Sequence, residues 1–183
     1  MSFVASSERA LNHQPDVWKG LAAGIVGGLV ASWVMEEFQS AWAKLSESRK
    51  NGDGAQSQRD EEAQEPATIK AAEAVSEKLL GHHLEKDEKE MAGNAVHYAT
   101  GGASGAVYGV AAEFVPHVTA GAGLPFGTAV WLVVDETAVP SLGLSKAPTE
   151  YPLSTHVYAL ASHFVFGLTT EAVRRTLRKT ILS

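Results

Sequence analysis

Seven ionisable residues interrupt long, sparsely charged stretches: Glu36 and Glu37, His97, Asp135 and Glu136, and His156 and His163. Carboxylates and imidazoles in apolar surroundings can do three things. They can hold a divalent or iron-type metal, as Glu/His sites in bundle cores do. They can pass protons, because imidazole titrates near neutral pH and burial pushes a carboxylate toward that range. Or they can satisfy one another structurally as Glu–His pairs. His156 and His163 lie seven residues apart and so share a helical face, but that spacing is too wide to chelate one ion. His97 with His163 is the pair that could ligate a metal or a bis-histidine haem; no pattern specific to a cofactor accompanies it, and the cofactor stays undefined.

Catalytic signatures are missing. The chain has no Gly-x-Ser-x-Gly elbow, no phosphate-binding GxxxxGK[ST] loop, no His-Glu-x-x-His and no Glu-x-x-His. Its glycine-rich runs lie inside apolar segments with no strand ahead of them. The expectation is a protein that is not an enzyme. Without cysteine, thiolate metal sites, disulfides and Cys nucleophiles are excluded. A net charge of −6 argues against nucleic acid as a partner.

The elements that must carry these groups follow from where charge is absent. Of 36 charged residues among 183, 20 fall within residues 44–90. The rest of the chain holds four long, sparsely charged stretches, at 17–43, 92–115, 120–142 and 154–177. Crossing about 30 Å of hydrocarbon takes about 20 mostly apolar residues, and each stretch reaches that length. Soluble helices, by contrast, place charge on one face at every turn. The expected fold is all-α: one membrane domain over 1–183, a four-helix transmembrane bundle with the lipid bilayer as its surroundings. The first 16 residues are polar and carry no signal-peptide pattern.

Residues 44–90 form a polar excursion between helices 1 and 2. Residues 44–65 read as disordered, since SESRKNGDGAQSQRDEEAQE within them has no large apolar side chain and many charges. Pro66 then opens a run of helix formers in which Ile69, Ala72, Val75 and Leu79 share a face, an amphipathic helix at about 67–80 ending near Gly81. The adjacent His82 and His83 read as inert surface residues. If the four spans alternate in direction, all seven ionisable residues fall toward the side that carries this excursion.

Glycine recurs every fourth position: Gly20, Gly24 and Gly28 in the first span, then Gly101, Gly105 and Gly109 in the second. Such small-residue faces let two helix backbones approach closely in lipid. The seam packs helices within one chain or joins copies, so a homo-oligomer or a membrane-complex partner stays open.

Two stretches resemble the YagU-like family of small bacterial inner-membrane proteins. One is the opening KGLAAGIVGGLVASWVMEE; the other is the closing YALASHFVFGLTTEAVRRTLRK, with His163, Glu171 and the Arg174–Arg175 pair. PSLGL followed by Pro148 is similar to that family's loop before the last helix. The resemblance implies a multi-pass inner-membrane location and a link to acid stress, with no catalytic residues. The dense RRTLRK group beside the last span sets both termini on the cytoplasmic side. Three functions follow as alternatives: proton or ion handling by the Glu/Asp/His cluster, an accessory subunit packed through its glycine faces, or a metal- or haem-binding membrane protein.

Overall fold

The structure, a computed structural model, describes residues 15–49 and 65–180. Among these residues all regular structure is helical and no strand occurs.

Helix α1 runs Val17–Arg49. Asp16 opens it, its Oδ1 accepting the Lys19 backbone N–H at 3.1 Å, a side-chain cap for an otherwise orphaned donor. At 1.5 Å per residue its 33 residues reach about 50 Å. Residues 44–49 are therefore helical, which corrects the expected start of disorder at 44; the apolar packing of α1 propagates into a run of helix-tolerant residues. Residues 50–64, the remainder of that expected segment, lie outside the described residues.

Helix α2 occupies Ala67–Leu80, the stretch marked as amphipathic. Gly81 ends it with φ of 63°, and its N–H and that of His82 turn back to the Glu77 and Ser76 carbonyls. Helix α3, Lys86–Phe114, starts earlier than the uncharged span it contains. A capping box lets this happen: the Glu88 carboxylate accepts the Glu85 backbone N–H at 2.8 Å. Irregular 3-10 turns at Pro116–Gly123 lead into α4, which comprises Leu124–Val130, a π-helical stretch Trp131–Ala138 and Val139–Ser141. Helix α5 is Leu153–Thr180.

Two helical stretches, Val17–Ser46 and His117–Ser141, are long and apolar enough to cross a membrane. α3 and α5 reach spanning length, but their Gly, Ala, Ser and Thr content and their charged ends lower their apolarity. The expectation of four equivalent spans is thus reduced to two clearly apolar helices within an all-helical fold.

Glycine decides the packing. α1 lies antiparallel to α3, with Gly20, Gly24 and Gly28 against Gly109, Gly105 and Gly101 in turn. A Cβ on Gly24 would stand 3.0 Å from the Gly109 Cα, so neither backbone has room for a side chain. A second seam sets Gly123, the residue that caps α4, and Gly127 within α4 against the backbone of Gly167 and His163 in α5. α1 joins the two pairs: Gly27 meets Thr170, and the Trp42 and Tyr158 rings lie 5.9 Å apart.

Burial is inverted relative to a water-soluble core. The largest fully buried side chains among the described residues are Glu171, Thr170, Ser32 and Ser162. Trp18, Trp33, Val107, Val133 and Val157 face outward. The apolar centre is small, formed by Ala31, Met35 and Phe166 with Phe126 and Val130 against them.

Candidate functional site

A cavity of about 620 Å³ lies among α1, α3, α4 and α5, with the first residues of α2 in its wall. Six of the seven ionisable residues line it: Glu36 from α1, His97 from α3, Asp135 and Glu136 from α4, and His156 and His163 from α5. Glu37 does not. It is exposed on the other side of α1, because successive helical residues point about 100° apart.

The histidines are oriented by their second nitrogens. His163 Nδ1 donates to the Ala159 carbonyl at 2.9 Å, which leaves Nε2 facing Asp135 Oδ2 at 3.7 Å. In the neutral ring Nε2 is then a bare acceptor, and a proton there would create a charge-assisted contact with the carboxylate. His156 Nε2 donates to the Pro148 carbonyl at 3.0 Å while Nδ1 meets Glu136 Oε1 at 2.8 Å. A carbonyl only accepts, so one proton must lie between Nδ1 and the carboxylate. His97 Nε2 points to the Ser32 carbonyl at 3.4 Å, and Glu36 accepts the Tyr98 hydroxyl at 2.9 Å.

Asp135 and Glu136 reach α5 from the π-helical turn. There Thr137 Oγ1 donates to the Leu132 carbonyl five residues back, at 2.8 Å. Such wide turns occur mostly as local insertions, frequently at functional sites. Side chains tilt toward their own helix N-terminus, so in the antiparallel α4 and α5 Asp135 and His163 lean toward each other.

The cavity closes toward the chain termini. Tyr108 of α3 stacks on Phe126 of α4 with centroids 4.2 Å apart, and Phe166 lies 5.8 Å from Phe126. Beyond this aromatic layer two buried carboxylates are held by arginines. Glu171 accepts Arg174 Nε and Nη2 at 2.7 and 3.0 Å and also bonds Arg175. Glu113 accepts Arg178 Nε and Nη2 at 2.7 and 2.9 Å, plus the Asp16 backbone N–H at 3.1 Å. Glu171 and the Arg174–Arg175 pair enter the sequence analysis only through the closing stretch, and Glu113 has no role there. The signal was present: Glu171, Arg174, Arg175 and Arg178 follow the spacing of one helical face.

The metal reading fares differently. Among the described residues, the group of three potential ligands close enough for one ion is the half-buried Glu73 with the exposed Glu77 and His83, not His97 and His163. Lys89 already pairs with Glu73 at 3.0 Å, and His83 Nδ1 lies 2.6 Å from Glu77. His82, read as inert, bonds Glu88 at 3.1 Å.

A family model described as a protein of unknown function, DUF1440, matches residues 61–172, more than half of the chain. The chain belongs to the DUF1440 family. The DUF1440 match takes in α2, α3, α4 and most of α5, and with them His97, Asp135, Glu136, His156 and His163. It leaves out α1, with Glu36 and one side of the first glycine seam, and stops before Arg174. The opening span that carries half of the YagU-like resemblance therefore lies outside it. No curated protein and no solved structure matches the chain.

Proposed function

We propose that this DUF1440 protein is a YagU-like, multi-pass protein of the bacterial inner membrane whose cavity takes up and releases protons on the side of the polar excursion. The convergence of six ionisable side chains from four helices on one cavity carries this reading. In lipid, such groups are retained where they pair or meet water, and they mark functional sites by default. Inverted burial supports the membrane setting, since outward Trp, Val and Leu side chains cost nothing against acyl chains. Arg175 and Lys179, exposed near the end of α5, and Lys19 and Trp18 at the start of α1 support termini on the cytoplasmic side.

The chemistry is non-enzymatic. A proton on His163 Nε2 would turn the 3.7 Å approach to Asp135 into a charge-assisted contact. The glycine seam below fixes α4 to α5, so any closing of that gap falls on the π-helical turn. The aromatic layer makes the cavity a blind pocket, which favours acid sensing or bound-proton exchange over an open channel.

Alkaline carbonate extraction should leave the protein in the membrane pellet. The unfolding temperature in detergent should then change with pH between 5 and 7, and His163→Ala or Asp135→Asn should flatten that change. Glu37→Gln, outside the cavity, should keep the wild-type profile. Identical profiles in all three variants would overturn the proton reading.

A further inference from the structure

The cavity is far larger than proton exchange requires. Its volume of about 620 Å³ falls in the range of small-molecule sites, roughly 300–1,000 Å³. Its wall mixes two chemistries. Met35, Val130 and Phe166, which pack together, and Val134 are apolar, and the carboxylates and imidazoles are polar. We propose that it binds an amphiphilic organic ammonium ion, with the charged head beside Asp135 and the hydrocarbon against these apolar residues. The inference rests on the same cavity as the proton reading and names its ligand class.

Charge selects the class. Three carboxylates line the cavity, Glu36, Asp135 and Glu136, against one lysine, Lys146. Glu36 is engaged by the Tyr98 hydroxyl at 2.9 Å and Glu136 by His156 at 2.8 Å. Asp135 has His163 at 3.7 Å, beyond hydrogen-bond length, and so keeps acceptor capacity for an N–H donor. A carboxylate or phosphate head would meet net negative charge.

The test uses the full chain in phosphatidylcholine nanodiscs, titrated calorimetrically with n-hexylammonium against empty nanodiscs. Hexylammonium should bind saturably at pH 8, and hexanoate should not. Asp135→Asn should weaken binding roughly tenfold, the value of one desolvated charge-assisted contact. Val134→Phe, which fills space beside the apolar residues and leaves every charge in place, should weaken it too; it serves if Asp135→Asn does not fold. Glu37→Gln should bind like wild type. Absence of saturable binding, equal binding of hexanoate, or wild-type affinity in both cavity variants would overturn the amine site. Binding with no proton release in buffers of different ionisation enthalpy supports the amine site and counts against the proton reading. A pH response lost in Asp135→Asn without any amine binding does the reverse.

Discussion

Replacing Gly105 with alanine adds a single methyl at the centre of the α1–α3 seam. Its Cβ would lie 2.9 Å from both the Cα and N of Gly28, and closer still to the Gly24 carbonyl oxygen. Ordinary contact begins at 3.4 Å, so the helices must separate by at least about 0.5 Å. The obstacle is backbone on a regular helix and cannot swing aside. A gap of about 0.5–1 Å forfeits about a quarter to a half of each dispersion contact along the seam. Overpacking of this kind costs about 1–3 kcal/mol, offset by about 0.5–1 kcal/mol of helix propensity gained on leaving glycine. Gly102 supplies the internal control. A methyl there meets the Leu29 Cδ2 at 3.3 Å, the mobile end of a side chain, so Gly102→Ala gains the propensity with little strain. Thermal unfolding in detergent, followed by far-ultraviolet circular dichroism, should place Gly105→Ala below wild type and Gly102→Ala at or above it. Gly105→Leu should fall further than Gly105→Ala. The seam argument is refuted if Gly105→Ala is as stable as Gly102→Ala.

Glu171→Gln removes one partner of a buried ion pair and leaves Arg174 without its counter-charge, a loss of about 3–5 kcal/mol; the unfolding temperature should drop well below that of Glu37→Gln. At the α2–α3 corner the Glu88 carboxyl is held below its ordinary 4.5 by the Glu85 backbone N–H and by His82. A lowered carboxylate stabilises the folded form above that value and stops doing so as pH falls through its folded one. Amide exchange in the first turn of α3 should therefore be faster in Glu88→Gln than in wild type at pH 7, with the difference fading below pH 4.5.

The seams and the polar cluster were legible because each rests on a period. Glycine every fourth residue can only mark one helix face, and alternation of helix direction puts Glu36, His97, Asp135 and His163 at one depth. Glu37 was misassigned because depth alone does not fix azimuth, and the charge pattern of α1 does not say which of two adjacent acids turns inward. The extension of α1 past Ala43 escaped notice because composition measures solubility, not whether a helix already nucleated will continue. Glu113 was hidden by distance, since its partner Arg178 stands 65 residues away and only the parallel course of α3 and α5 brings them together. The opening of α3 at Lys86 depends on Glu85 and Glu88 capping each other, where glutamate at the cap position is an unusual choice.

The π-helical turn at Trp131–Ala138 amounts to one residue more than an α-helix needs to cover the same path. Deleting a single codon there is the shortest edit that would return α4 to ordinary winding. The helix on either side of the deletion would keep its face toward α5, because the wide turn is what absorbs the extra residue, and Gly123 and Gly127 would stay docked. Only the residues inside the turn, Asp135 and Glu136 among them, would be re-aimed, so the contact of Glu136 with His156 is the one such an edit would break. Length in this helix is thus as informative as residue identity: a relative one residue shorter between Val130 and Val139 would have the same helices and seams and a differently equipped pocket.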